Sequence, residues 1–592
     1  MPKRIPKEIG TMKKSLSILC ILAITIGFAA SSDASVPSVG DPGRTWSVPN
    51  DGQVGEHVQQ FLDTFPGEAG SELMPTSRHQ PFSEENPTCA SWNEAKCYYS
   101  EIRYQAVVPF CTDDNDVNCT VNMGVIDASG NKISASFNRY FPTKARNQYE
   151  GNTEYKLPSG VAGSIFSLPQ VPHDGGDKYY LSVVMNGSGS ISSGIGLSDF
   201  SVKLYPVKLE ADSSLNDMGD TGWAILPAGT PGNPTGKDNW QRSGPGYSGN
   251  NFCVATSGVE RLCAQRYAFP SGYRFYVSVR TQQLPSGWMH GRLSEPDIKI
   301  TKDDAYSTIE ITAEPVAVPV IYKMYKYPDM PTELKALYDV KTGAYVKDPN
   351  FVRFGSRAYF AQGGRTSGNP DPLLRNVIVA PEAFSAAGME QIKAWLPFVG
   401  DKATALLSYW SVRTLSQEEM QGSSACFADK SNVTGIVTTN STQYSGGPPK
   451  FSKSEGTLDY QVAAPHFGTD SSVFKGSYDL VMRSDVARCI YGFSKAPINA
   501  TLSITSSDGT PQIATTVIGE RNGWLYLRAK NFEFSAPIIK AKFTQEAEVA
   551  AVAPALPAKV SVKKTTITCA KGKKVQRVYG VKPKCPTGYK KR

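Results

Sequence analysis

Apolar residues recur along most of this chain in short runs where alternate positions differ in polarity. That is the two-residue period of a strand whose side chains face opposite sides of a sheet. Such runs occupy 102–108, 121–126, 179–185 and 200–209. They are filled with β-branched and aromatic residues and bounded by Gly, Asn and Ser clusters, with a turn at Asp127-Ala128-Ser129-Gly130. They predict a first β domain over 86–210. Beyond a Gly/Pro-rich stretch at 222–249, runs at 273–279, 298–300 and 308–311 predict a second β domain, or an elaboration of the first, over 211–318. The densest series lies within 404–545, at 407–412, 435–439, 458–463, 478–482, 500–504, 512–518, 524–528 and 538–543, with Ser507-Asp508-Gly509 as a hairpin turn. Short strands separated by turns every 8 to 12 residues or so predict a β-sandwich there.

The helical period appears only mid-chain, at 331–338 and 385–396. In the second stretch Ala386, Met389, Ile392, Lys393 and Leu396 fall at helical spacings and Pro397 ends the run. A short α+β connecting segment over 319–403 follows. Residues 35–85, rich in Pro, Gly, Ser and acidic residues with one helical candidate at 57–61, read as an extended leader, and the Ala/Pro stretch 546–558 reads as a linker. The expected fold class is mainly β: tandem β-sandwich (Ig-like) domains, the short α+β segment, and a small disulfide-stapled C-terminal module at 559–592. The length of 592 residues, with 52 Gly and 41 Pro, supports several domains of about 150 residues each and argues against an all-helical protein.

Charge redraws this outline. Residues 1–34 carry Lys3, Arg4, Lys7, Lys13 and Lys14, then an apolar run from Leu16 to Ala30, then small residues around Ser32-Asp33-Ala34. This is the pattern of a secretory signal peptide cleaved after Ala34, or after Ala29, and the apolar run is shorter than the roughly 20 residues of a membrane span. The formal net charge of +8 then separates into unlike parts. Residues 1–34 contribute +3, residues 35–558 contribute −7 from 45 basic and 52 acidic residues, and residues 559–592 contribute +12 with no acidic residue at all. An acidic body disfavours nucleic acid as its partner, because phosphates need a basic surface.

Ten cysteines remain after the leader: Cys89, Cys97, Cys111, Cys119, Cys253, Cys263, Cys426, Cys489, Cys569 and Cys585. An even number in an exported chain implies disulfides. Neighbour pairing is the simplest set, crossing links among the first four are the alternative, and a Cys426–Cys489 bond would staple distant strands. Zinc would need Cys-x-x-Cys pairs or a histidine at ligand spacing, and neither occurs.

The run Gly287-Trp288-Met289-His290-Gly291-Arg292, the stretch from Phe474 to Cys489, and the ending from Thr568-Cys569 through Lys584-Cys585-Pro586-Thr587-Gly588-Tyr589 resemble uncharacterised secreted multi-domain proteins of actinobacteria. The Lys-rich two-cysteine ending is similar to modules shared by otherwise unrelated exported proteins of that group. The resemblance implies location and origin and carries no activity, cofactor or catalytic residue.

Candidate chemistry is sparse. There is no His-Glu-x-x-His, no Gly-x-Ser-x-Gly and no P-loop, and no cofactor is expected. His290 and His466 lie in motif-like runs and are the histidines around which a dispersed hydrolase site would form, the competing reading being packed or surface residues at strand ends. Asp113, Asp114 and Asp116, on the loop between Cys111 and Cys119, are calcium candidates by residue type, although Cys119 and Val125 occupy the glycine and glutamate positions of an EF-hand. The competing reading is an acidic solvated turn. Trp223, Trp240, Trp288 and Trp410 are candidates for a carbohydrate platform or for core. The tail cations Lys571, Lys573, Lys574, Arg577, Lys582, Lys584, Lys590, Lys591 and Arg592 suit attachment to an anionic envelope polymer, such as wall teichoic-type phosphates, or else a solubilising end. The function expected is that of a secreted cell-surface binding or structural protein without catalysis. The alternatives are a secreted hydrolase and a subunit of an extracellular array.

Overall fold

The computed structural model describes residues 55–61, 70–76, 88–143, 147–213, 215, 223–226, 239–242, 253–337, 373, 377–429, 432–494, 498–505, 511–512, 515–534, 537–545 and 562–592. It is mainly β, with 54% strand and 9% helix, and among the described residues it forms several sheets, none of them closed. Residues 1–34, expected as a signal peptide, the expected turn at Ser507-Asp508-Gly509 and the expected linker 546–558 lie outside the described residues.

The largest sheet is built around the strand Ala405–Thr414. Its Trp410–Arg413 stretch pairs antiparallel with the strand Gly194–Ala211, Ser411–Thr414 pairs with Gly287–Arg292, and Ala405–Tyr409 pairs with Val316–Lys326. From Gly194–Ala211 the sheet continues through Lys178–Ser190 and Ile102–Val107 to Glu72–Pro75. From Gly287–Arg292 it continues in parallel to Val433–Thr439, then antiparallel to Lys475–Arg483, Trp524–Glu533 and Thr515–Arg521. Strands from all the expected domains of the body therefore interleave in one sheet. These pairings do not confirm tandem Ig-like sandwiches: backbone hydrogen bonds carry no record of sequence distance.

Two further sheets cover this one. A five-stranded sheet orders Ser294–Lys302, Ser307–Glu314, Arg274–Thr281, Cys119–Ile126 and Lys132–Ser134, and another centres on Thr457–Ala463, Ile538–Gln545 and Ile498–Thr505. Alternate residues of the shared strands feed two cores. Met289, Ile436, Val481 and Tyr526 join Val125, Phe275, Val277, Ile309 and Ile311 of the five-stranded sheet. Their neighbours Trp288, Val437, Leu480, Leu525 and Leu527 join Leu458, Tyr460, Ile504, Ile539 and Ala541 on the opposite side. Burial on both faces explains why these strands read as nearly continuous apolar runs.

The leader region differs from expectation. Glu56–Phe61 is a strand, not a helix. It is buried along its whole length between Val316–Lys326, antiparallel, and Val377–Val379, parallel. Its sequence is mostly polar, so no apolar period marks it; the Gln59 amide instead donates to buried Gln391 Oε1 at 3.1 Å. Glu72–Pro75 is a second buried strand. The helix expected near 385–396 is present as Ala386–Trp395, capped by Ser385 Oγ accepting from the Gly388 N–H, with Met389, Ile392 and Trp395 packed beside Phe61, Ile321 and Leu334.

The ten cysteines form five disulfides, Cys89–Cys97, Cys111–Cys119, Cys253–Cys263, Cys426–Cys489 and Cys569–Cys585. Cys426 lies in the 3-10 turn Ala425–Phe427 and Cys489 in the helix Ser484–Tyr491. This bond thus ties two helical segments, where the sequence suggested two strands.

Trp410 is fully buried, belongs to the larger core, and donates its indole N–H to the Ala313 carbonyl at 3.0 Å. Trp410→Ala is expected to cost about 3–5 kcal/mol of unfolding free energy, read as a lowered urea midpoint.

Candidate functional site

Residues 562–592 form a three-stranded sheet. Thr565–Lys571 is central, between Lys574–Gly580 and the short Lys590–Lys591. Thr and Ile suit the pleated central strand. The turn to the next strand is the two-residue Gly572-Lys573, with Gly572 at φ +61°, a backbone conformation that the first central position of a primed turn demands. Cys569 is the one buried residue of this stretch and is bonded to Cys585, 16 residues on. Closing that loop supplies about 3 kcal/mol in the chain-entropy view, which so small a core needs.

The register sorts the side chains. Directly paired residues share a face, so Ile567 with Val578, Cys569 with Gln576, and Lys571 with Lys574 lie on one side. On that side Cys569 is buried against Cys585, while Gln576, Lys571 and Lys574 stay exposed, and the Lys571 amine lies near Gly588. Thr566 with Tyr579, Thr568 with Arg577, and Ala570 with Val575 and Lys590 lie on the other side. There Tyr579 is 67% and Val575 54% exposed, and the Lys564 ammonium stands 5.9 Å from the Tyr579 ring centre. Residues 562–592 include eleven Lys and Arg and no Asp or Glu. All nine cations singled out from sequence belong to this module, and all nine are exposed.

The acidic loop is built differently from a metal site. Asp116 Oδ2 accepts from the Thr112 N–H and hydroxyl and the Asp113 N–H, which together hold its carboxyl below the usual range. Asp113 Oδ1 accepts from the Asn115 N–H and side-chain amide. The guanidinium of Arg280 donates to the carbonyls of Asp113, Asp114 and Asp116 at 3.2, 2.7 and 2.7 Å. An internal cation thus occupies the carbonyl cage. Among the described residues no group of three or more His, Cys, Asp or Glu is placed to hold a metal ion.

His290 is 4% exposed and stacks face to face on Tyr444 at 3.9 Å. Burial first, then Arg292 and Arg413, press its pKa well below the ordinary value, so it is neutral. Those arginines are committed elsewhere: Arg292 donates to the carbonyls of Thr439 and Ser441, and Arg413 pairs bidentately with Glu419 at 2.7 Å. His466 places Nδ1 3.1 Å from the Phe534 carbonyl and Nε2 4.0 Å from Glu533. The fold does not bring either ring to a hydroxyl in a catalytic arrangement among the described residues. Trp288 and Trp410 are core residues, while Trp223 and Trp240 sit on the strands Trp223–Leu226 and Asn239–Arg242, which pair antiparallel.

Sequence reasoning passed over Asp479, a charge inside the apolar strand Lys475–Arg483. Its carboxylate is 1% exposed and accepts from the Thr438 hydroxyl at 2.9 Å and the Glu295 N–H at 3.0 Å, with Arg528 Nε 3.6 Å away. Ser294 and Glu295 are where the chain leaves the central sheet for the five-stranded one, and Glu295 has φ +53°. Lys530 reaches both Glu295 and Glu314, the latter ending the strand Ser307–Glu314 of the five-stranded sheet, just before the chain re-enters the large sheet at Val316. The signal available in sequence was an aspartate flanked by Tyr478 and Leu480.

No family model, curated protein or solved structure matches the chain. Five disulfides fit an extracellular location, and among the described residues no helix is long and apolar enough to cross a membrane.

Burial pushes Asp479 up to about 6, against the opposing pull of its hydrogen bonds and of Arg528 and Lys530. A raised folded-state pKa means the folded chain binds this proton more tightly than the unfolded chain. The contribution is therefore present at about pH 4 and lost as pH rises through 6. Relative to Asp479→Asn, the wild-type chain is expected to lose about 3 kcal/mol across that window, measured by urea unfolding at each pH.

Proposed function

We propose that this is an exported, surface-held binding or structural protein, and that its C-terminal module attaches it to an anionic envelope polymer. The observation that carries the reading is the module itself: eleven cations and no carboxylate side chain on a small sheet closed by its own disulfide. Such a density of one sign attracts a polyanion and exchanges its counterions for it. The leader pattern and the five disulfides support export. The mildly acidic body repels the same polymer, which leaves contact to the module.

The hydrolase reading calls for a histidine set against a carboxylate and a hydroxyl. His290 lies between two arginines and Tyr444, and His466 faces a backbone carbonyl and Glu533, so neither favours it.

The mature chain and a chain ending at residue 558 are to be bound to isolated envelopes at rising salt. Retention of the full chain is expected to fall at least about tenfold between low and several-fold higher salt, and the shorter chain to be retained little at any salt. Salt-indifferent retention, or equal retention of both chains, contradicts the reading.

A further inference from the structure

The module has two unlike faces, and charge alone uses neither in particular. One carries the Cys569–Cys585 bond. On the other, Val575, Arg577 and Tyr579 follow one another at alternate positions of an edge strand, so their side chains project in a row about 7 Å apart. Val581, just beyond the strand, is exposed as well. Of the nine large hydrophobics exposed among the described residues, four lie in this module: Val562, Val575, Tyr579 and Val581. Thr566 and Thr568 stand opposite Tyr579 and Arg577, and Lys590 stands opposite Ala570 on the third strand.

We infer that this open face is a subsite for a sugar-phosphate polymer. A saccharide ring lies on Tyr579, its hydroxyls hydrogen-bond to Thr566 and Thr568, and the adjoining phosphates pair with Arg577 and Lys590. The inference rests on the reading that the module binds a polyanion, and adds which face does so and what else the polymer must contain. The chemistry is complementary in both respects. A sugar presents apolar C–H groups that pack on an aromatic face and hydroxyls that need partners, and Tyr offers both a ring and a polar handle. A guanidinium takes a phosphate bidentately.

Other occupants fit less well. A second copy would set one cationic face against another. A bilayer surface is met by elements rich in Trp, Phe and Leu, whereas here Arg577 and two threonine hydroxyls interrupt the apolar row. Single-stranded nucleic acid is bound on successive aromatics, and this face has one.

The test uses the full mature chain and four probes: phosphomannan, inorganic polyphosphate matched for phosphate, phosphatidylglycerol vesicles and a thymidine oligonucleotide. Wild type is expected to bind phosphomannan most tightly. Tyr579→Ala is expected to weaken phosphomannan about tenfold and polyphosphate by less than about twofold, while Tyr579→Phe keeps most of the phosphomannan affinity. Arg577→Gln is expected to weaken both polymers more than Lys571→Gln, which removes the same charge from the opposite face. The intact Cys569–Cys585 bond, checked by mass after alkylation, together with unchanged amide exchange within 562–592 shows that each variant is folded. Equal effects of Tyr579→Ala on both polymers, equal effects of the two charge variants, or tighter binding to vesicles or oligonucleotide overturn the inference and leave polyanion binding standing. Failure of the wild-type chain to bind any probe in a salt-sensitive way overturns the reading beneath it.

Discussion

The body depends on the strand Ala405–Thr414 having both edges hydrogen-bonded by segments from far along the chain. Trp410–Arg413 takes Gly194–Ala211, Ser411–Thr414 takes Gly287–Arg292, and Ala405–Tyr409 takes Val316–Lys326. Without that strand the pairing path connecting the N-terminal and C-terminal halves of the sheet is broken. Such pairing pays loop-closure entropy early and returns it only when the sheet is complete, so long-range contacts of this kind make for cooperative and slow assembly. The short-range disulfides Cys89–Cys97, Cys111–Cys119 and Cys253–Cys263 join neighbours 8 to 10 residues apart and pin local corners.

A sheet covered on both faces must resolve the places where its strands leave it. Two such exits, at Ser294-Glu295 and at Glu314, are held by one set of charges: Asp479 receives the Glu295 N–H, and Lys530 reaches Glu295 and Glu314 together. A buried ionic group of this kind contributes little net stability against an apolar replacement, while the loss of one partner leaves an uncompensated charge. Its role is geometric, fixing the step from one layer to the next. The same logic governs Arg280, whose guanidinium orders an acidic loop that by residue type alone resembles a cation site.

Much of this was legible in sequence, and the rest was hidden for definite reasons. Ile102–Val107 alternates buried and more exposed positions over its first residues, and its period announced it. Val433–Thr439 and Lys475–Arg483 were found from their apolar runs, but a run does not say which strand lies beside it, so domain boundaries drawn along the chain missed the interleaving. Glu56–Phe61 was misread because its buried side chains include Glu56, His57, Gln59 and Gln60. The helix Ser484–Tyr491 was passed over because its eight residues mix Ser, Asp and Arg with apolar positions. The cationic tail was plain from composition and cysteine spacing. Its two faces were not, because only the pairing of Thr565–Lys571 with Lys574–Gly580 assigns Tyr579 and Arg577 to the open side.

The protein divides into an interlocked β body and a small cationic module, the part proposed to contact a polyanion. Hydrogen exchange of the full mature chain, read by peptide mass spectrometry with and without polyphosphate, tests that division most directly. The prediction is that Gly194–Ala211, Gly287–Arg292, Ala405–Thr414 and Val433–Thr439 exchange together and slowly in both conditions, and that polyphosphate adds protection only within 562–592. Added protection on the body with none in the module, or separate exchange of the four strands, would contradict it.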